Sequence, residues 1–285
     1  MKIHILGICG TFMGSIAVLA KELGHEVSGS DSNVYPPMST QLQDQGIELM
    51  EGYDASHLSP PPDIVLVGNT LSRGNEAVEY LLDEGLSYQS GPEWLAEHVL
   101  KACHVLAVAG THGKTTTSSM LSWILEAAGK KPGFLIGGIA ENFGISARHG
   151  QSNLFVVEAD EYDTAFFDKR SKFIHYSPRT LLINNIEYDH ADIFENLAAI
   201  RREFQHLIRV VPAHGQIIRH AQDKEIDKVI SRGCWTPLVT FGGDKGQWSV
   251  QSAQKDYSSF DVCFEGKMLA EVKWSLIGQH NAENA

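Results

Sequence analysis

Long hydrophobic runs are missing from this sequence of 285 residues. No stretch approaches the ~18 consecutive apolar residues a membrane span needs, so no membrane association is expected. Cysteine is scarce and scattered. Cys9, Cys103, Cys234 and Cys263 form no CxxC pair and the histidines form no HExxH, which leaves a structural zinc site without support and predicts reduced thiols in a cytoplasmic protein. Basic residues are outnumbered, 23 Lys+Arg against 35 Asp+Glu for a formal charge of −12, and this repels nucleic-acid phosphates unless a local basic patch overrides it. No nucleic-acid partner is expected. The opening MKIHILGICG lacks the longer apolar stretch and small-residue cleavage site of a secretory signal. Repeats and low-complexity tracts are also lacking. What remains is 43% hydrophobic and 20% charged, too apolar for a disordered chain and long enough for about two domains.

Lys2 to Ile8 is a short apolar run that stops at glycines, Met13 to Leu23 is helix-compatible, and Glu26 to Asp31 reads as a second strand. Pro36 and Pro37 break the chain before a short helical stretch near Gln41. DIVLVGN (Asp63 to Asn69) is a buried-type strand and Asn75 to Glu84 a helix. Such alternation predicts a parallel sheet with helices on both faces, a Rossmann-like domain over residues 1–101. The pattern restarts with HVLAVAG (His104 to Gly110), a helix over Lys114 to Ala128, and the strands FVVEAD (Phe155 to Asp160) and TLLINNI (Thr180 to Ile186). A second α/β domain, of P-loop ATPase type, is expected over 102–285. Beyond Pro212 the segments GQIIRH, LVTFG and the hairpin FDVCFEGKMLAEVKW, turning near Gly266, predict an antiparallel extension. The chain stops in GQHNAENA, where Asn281 is expected to cap a helix only just begun, so a C-terminal truncation is expected.

Four segments carry chemistry. In VLAVAGTHGKTTT (Val105 to Thr117) a buried strand runs through a glycine turn into Lys-Thr-Thr at a helix start. Small residues let backbone N–H groups close around phosphate oxygens, Lys114 can neutralise phosphate charge, and Thr115 can bind Mg²⁺. The GxxxxGK spacing fails because Val108 stands at the first glycine position; the bland alternative is a structural turn. EADEYD (Glu158 to Asp163) crowds four carboxylates at a strand end, where Glu158 or Asp160 suits Mg²⁺, against a solvated acidic loop as the alternative. NNIEYDHAD (Asn184 to Asp192) ends a third strand, and polar residues outside strand carboxyl ends are where ligands sit in open α/β sheets. His190 there is a metal ligand, a substrate-positioning group or a structural hydrogen-bonder. GICGTFMG (Gly7 to Gly14) follows the first strand and could place a pyrophosphate at a helix N-terminus, with Asp31 reaching a ribose; close helix and sheet packing is the alternative.

In that order and after that glycine loop, AGTHGKTTT, EADEYD, NNIEYDHAD and GQHNAEN resemble the Mur ligase family of cell-wall peptide synthesis across the whole chain. GTHGKTTT and the opening loop look like the branch acting directly on UDP-N-acetylmuramate. The extended EADEYDTAFFDKRSKFIHYSPR, in place of a shorter EADESD-type segment, looks most like its peptide-recycling member. The resemblance implies three domains, a UDP-sugar-binding one, a central ATPase and a third holding the incoming amine, with the third absent here. It implies ATP and Mg²⁺ as cofactors. Gly7, Gly10, Thr11, Phe12, Met13 and Asp31 would face the UDP sugar. Gly110, Thr111, His112, Gly113, Lys114, Thr115 and Thr116 would hold ATP phosphates, Thr115 and Glu158 one Mg²⁺, His190 a second, and Asn281 and Asn284 adenine. Relatives that carry a carbamylated lysine differ, since no lysine lies between Lys172 and Lys224 and Gln205 stands near the expected place.

The activity so implied is ATP-dependent ligation of L-alanyl-γ-D-glutamyl-meso-diaminopimelate to UDP-N-acetylmuramate through an acyl phosphate, in peptidoglycan recycling. Such chemistry needs charge neutralisation and alignment rather than a nucleophilic side chain, with Lys114, Glu158 and His190 as the catalytic set. Sugar-nucleotide binding is expected to survive in this chain, and ligation is not. The alternatives are ligation of free L-alanine to the same sugar nucleotide, a dinucleotide-dependent oxidoreductase suggested by the first glycine loop and Asp31, and a sugar-nucleotide binding module.

Overall fold

A computed structural model describes residues 1–189, 191, 193–252 and 254–285, with Asp244 described in its backbone alone. The first hundred residues form β1 (Lys2–Leu6), α1 (Thr11–Glu22), β2 (Glu26–Asp31), α2 (Met38–Asp44), β3 (Glu48–Glu51), β4 (Ile64–Val67), α3 (Glu76–Asp83), β5 (Tyr88–Ser90) and α4 (Gly91–His98). There follow β6 (His104–Ala109), α5 (Lys114–Ala127), β7 (Gly133–Ala140), β8 (Ile145–Arg148), β9 (Leu154–Glu158), β10 (Asp163–Ala165), β11 (Asp168–Ser171) and β12 (Thr180–Ile183). The remainder is α6 (Leu197–Arg209), β13 (Gln216–His220), α7 (Lys224–Ile230), β14 (Leu238–Phe241), β15 (Trp248–Gln251), β16 (Ser259–Phe264), β17 (Lys267–Lys273) and α8 (Gln279–Asn284). No helix among the described residues is long and apolar enough to cross a membrane.

Two compact units result. The first holds Met1–Cys103, Leu125–Val156 and Tyr162–Tyr176; the second holds His104–Ile124, Val157–Glu161 and Ser177–Ala285. In the first, five parallel strands lie in the order β3-β2-β1-β4-β5, the doubly wound arrangement that alternating strands and helices predict. Leu6, Val65 and Val67 of the sheet pack with Ala77, Val78 and Leu81, the buried face of α3. Backbones approach closely at Gly29, where a Cβ would lie 2.5 Å from Ile8 Cδ1 and 2.6 Å from the Ile5 carbonyl. Ser90 and Glu93 form a capping box that fixes the start of α4. This unit also takes the antiparallel pairs β7–β8 and β10–β11; Phe166, between the latter two strands, packs against the same cluster.

In the second unit the strand order is β17-β16-β15-β14-β13-β12-β6-β9. β6, β12, β13 and β14 pair in parallel, β15 joins β14 in parallel, and among the described residues of this unit antiparallel pairing runs through β15, β16 and β17. The mixed sheet is as expected, but its antiparallel part starts later than Pro212. GQIIRH and LVTFG join the parallel ladder as β13 and β14 because each follows a helix, α6 or α7, long enough for a crossover. Ile200, Phe204, Leu207 and Ile208 form the buried stripe of α6 at helical spacing. The hairpin β16–β17 turns at Gly266 with φ +78°. Asn281 does not cap α8. Gly278 occupies the cap position, and the Asn281 amide, one turn in, donates back to the Ile277 carbonyl at 2.8 Å.

Candidate active site

In the second unit, loops leaving β6, β9 and β12 bring Gly110–Gly113, Ala159–Glu161 and Asn184–Glu187 together. The first is held by the third. Thr111 N–H donates to the Asn185 carbonyl at 3.1 Å, His112 N–H donates to Asn185 Oδ1 at 2.8 Å, and Thr111 Oγ1 accepts from Glu187 N–H at 2.9 Å. Gly110 (φ +137°) and Gly113 (φ +81°) adopt backbone that L side chains avoid. A Cβ on Gly113 would also lie 3.0 Å from the amide nitrogens of both Asn184 and Asn284. The turn is therefore preset before a ligand arrives, which lowers the ordering cost of binding.

At the start of α5 the Thr115 hydroxyl donates to Glu158 Oε1 at 2.9 Å. Thr116, next along the helix, is half-buried. Lys114 Nζ donates to Glu161 Oε2 at 2.9 Å and to the Gly110 carbonyl at 2.8 Å. Burial pushes the Glu161 carboxyl above its ordinary value, against the pull of the Lys114 ammonium. Asp163 belongs to β10 in the first unit, where it accepts from Lys169. His190 and Asp192 lie outside the described residues. His112 is exposed, with Nε2 3.8 Å from Glu187 Oε2.

A cavity of about 280 Å³ opens among Leu182, Phe241, Trp248 and Val262, with Asn184 and Asn284 at its polar side. Asn184 is buried, its amide nitrogen donates to Thr117 Oγ1 at 3.1 Å, and its Oδ1 has no partner among the described residues. An apolar slot with two asparagine side chains among its lining suits a flat heteroaromatic ring. Asn281 is not among the residues lining it.

The first unit has its own cleft, about 820 Å³, where the strand order reverses beside β1. Gly7, Gly10, Thr11 and Asp31 line it, joined by Tyr53, Thr70 and, from β7 and β8, Gly137, Gly138, Ile139 and Ser146. Asp31 spends both carboxylate oxygens on the surrounding backbone, accepting from Cys9 N–H at 2.9 Å and Asn33 N–H at 3.0 Å. Burial and this carboxylate push the Cys9 thiol up to about 11. Ser15 on α1 donates to Ser146 Oγ at 2.9 Å, fixing β8 against the cleft. Phe12 and Met13 do not line it. Phe12 lies under the Lys172 ammonium, 5.2 Å from ring centre to Nζ, and Met13 is buried in the core.

Glu161, Asn184 and Asn185 are site residues that motif reading does not single out. Asn184 and Asn185 differ in sequence from ordinary loop polar residues only by their place at a strand end. The β7–β8 contribution to the first cleft comes from a segment that the sequence reading passes over, because it carries no motif.

A five-stranded parallel sheet and a mixed sheet, each with an opening of ligand size among its residues, define a two-unit α/β architecture. Family models match it as the Mur ligase family catalytic domain over residues 2–102 and the Mur ligase middle domain over 108–285. The chain belongs to the Mur ligase family. It is 57% identical over 284 residues to the UDP-N-acetylmuramate--L-alanyl-γ-D-glutamyl-meso-2,6-diaminoheptandioate ligase of Escherichia coli, covering 100% of this chain and 62% of that protein. The crystal structure of the corresponding ligase from Neisseria meningitides superposes with a TM-score of 0.94 at 54% identity, over 99% of this chain and 90% of that one. The UDP-N-acetylmuramate--L-alanine ligase of Clostridium acetobutylicum is 31% identical, over 100% of this chain and 60% of that protein. The chain thus spans about three fifths of the curated relatives it matches.

Proposed function

We propose that this chain is the sugar-nucleotide- and ATP-binding part of an ATP-dependent amide ligase that joins L-alanyl-γ-D-glutamyl-meso-diaminopimelate to UDP-N-acetylmuramate, in peptidoglycan recycling in the cytoplasm, and that by itself it binds both nucleotides without ligating. Residues 1–101 would bind the sugar nucleotide and 102–285 ATP, with Gly137–Ile139 and Ser146 lent to the first cleft. The observation that carries this reading is the meeting of Lys114, Thr115 and Glu158 at a preset glycine loop. The tripeptide rather than L-alanine is favoured by 57% against 31% identity to the two kinds of relative.

The Thr115 hydroxyl and Glu158 carboxylate are hard oxygen donors at hydrogen-bond distance, a set that fits Mg²⁺. Bound there, with His190 proposed for a second ion on the resemblance alone, Mg²⁺ would neutralise phosphate charge. Backbone N–H groups of Gly110–Gly113 and the start of α5 would cradle the phosphates, and Lys114 would offset their charge. Asn184 and Asn284 would receive the base. The lactyl carboxylate of the sugar would attack the γ-phosphorus and release ADP; the peptide amine would then attack the acyl carbon, release phosphate and lose a proton. In this scheme the protein aligns anions and supplies no nucleophile.

Calorimetry with UDP-N-acetylmuramate and, separately, Mg-ADP should show one site each. Asp31→Ala should weaken only the first and Lys114→Ala only the second. In a ligase that carries this chain together with an amine-binding domain, product mass from UDP-N-acetylmuramate, ATP and either tripeptide or L-alanine distinguishes the substrates, and product with L-alanine alone would overturn the assignment of the amine.

A further inference from the structure

Lys114 reaches across its own loop. Its ammonium donates to the Gly110 carbonyl at 2.8 Å, the Thr111 carbonyl at 3.4 Å and Glu161 Oε2 at 2.9 Å, so each of its three N–H groups has an acceptor within the protein. The pair is shielded: the Lys114 side chain is 11% exposed and that of Glu161 2%. Gly110 and Thr111 belong to a backbone pinned by Asn185 and Glu187. Of the three acceptors only the carboxylate carries charge, and poor solvation strengthens its hold on the ammonium.

We propose that Glu161 is a positioning residue for nucleotide binding: it holds Lys114 across the loop, and incoming phosphates must displace it from that ammonium. The inference rests on Gly110–Thr116 being a phosphate loop and adds a threshold to it. A ligand of low charge competes poorly with a buried carboxylate at 2.9 Å, whereas a triphosphate brings several anionic oxygens at once. Glu161 thereby makes occupancy depend on the number of phosphates a ligand carries.

The test titrates the full chain with the non-hydrolysable triphosphate AMP-PNP and with adenosine, in Mg²⁺, by calorimetry. Glu161→Gln keeps the shape and one acceptor oxygen but removes the competing charge. It should bind AMP-PNP about tenfold tighter, ~1.4 kcal/mol, and leave adenosine unchanged. A packing role would move both ligands together. In a Lys114→Met background the same change should alter AMP-PNP binding less than about twofold, since no ammonium remains to compete for. Unchanged or weaker AMP-PNP binding by Glu161→Gln overturns the proposal, as does equal tightening for adenosine or a tightening that persists in the Lys114→Met background. Should Glu161→Gln fail to fold, Glu161→Asp, which retracts the carboxylate by one methylene, must tighten AMP-PNP binding by an intermediate factor, and no change overturns the proposal. Failure of the unaltered chain to bind AMP-PNP would overturn the phosphate-loop reading together with it; normal binding by that chain and an unaltered Gln variant would overturn the Glu161 role alone.

Discussion

Replacing Lys114 by Met would leave the methylenes of the side chain roughly in place and delete the ammonium, so it isolates what the charge does for the fold. Glu161 would then be a 2% exposed carboxylate without its cation. Removing one partner of a buried pair costs about 3–5 kcal/mol, and the slight exposure of Lys114 points to the lower end. At roughly 2–4 °C per kcal/mol, a cost of about 3 kcal/mol lowers the melting temperature by about 6–12 °C. Adding Glu161→Gln should restore most of that loss, because a neutral amide is far cheaper to bury than an ion. The pH dependence has a definite sign. Burial raises the Glu161 carboxyl in the folded state, and loss of Lys114 removes the main opposing pull, so the folded Lys114→Met variant binds a proton more readily than the unfolded chain. Its stability deficit should therefore shrink as pH falls from 8 towards 5. Differential scanning calorimetry on the two variants across that range decides the matter. A single variant melting within about 1 °C of the parent, or a double variant as unstable as the single, would refute the account of the pair.

Other perturbations separate the remaining parts. Thr115→Val and Glu158→Gln should each raise the Mg²⁺ concentration needed for ADP binding several-fold, read by titrating the metal at fixed nucleotide; an unchanged requirement would remove them as ligands. Gly29→Ala forces a methyl to 2.5 Å from Ile8 Cδ1 and 2.6 Å from the Ile5 carbonyl, and should cost about 1–3 kcal/mol in thermal unfolding while leaving ADP affinity intact. His4, buried between Ser28 and Ser30, is lowered to about 4 mainly by desolvation. Its neutral form belongs to the fold, so roughly 3 kcal/mol is present above pH 6.5 and lost as pH falls towards 4; His4→Gln should flatten that part of the stability profile.

Much of the architecture is legible in the sequence because periodicity and turn chemistry agree. HVLAVA, TLLI and IVLV are apolar runs of strand length, and Lys114 opens a helix directly after a glycine turn. The three strand-end motifs are legible for the same reason, since strand, glycine turn and Lys-Thr-Thr must be consecutive for a phosphate loop to work. Sequence does not show which carboxylate of EADEYD reaches which partner. The path of a short loop decides that Glu158 meets Thr115 while Glu161 turns inward to Lys114. Nor does it show that Met13 points into the core just beyond a cleft-lining loop, because the helix start at Thr11 sets that direction. The parallel strands β13 and β14 read as antiparallel because short apolar segments look alike in either ladder; only the intervening helix α7 distinguishes them.

The first unit returns to the chain twice after residue 103, with Leu125–Val156 and Tyr162–Tyr176. A gene fragment ending near residue 101 would therefore encode all five strands of the first sheet but not one wall of its cleft, and it would leave the Ser15 hydroxyl facing the space Ser146 fills. Recombination at a single crossover cannot exchange this first-unit cleft between relatives intact. The β7–β8 hairpin follows the helix that begins at Lys114, so a swap that carries a new hairpin along also carries the Gly110–Gly113 turn encoded just before it. Heredity thus tends to move the two clefts as one block, and an altered ligand preference of the first cleft is more readily reached by point changes at lining positions such as Ile139 and Tyr53 than by shuffling.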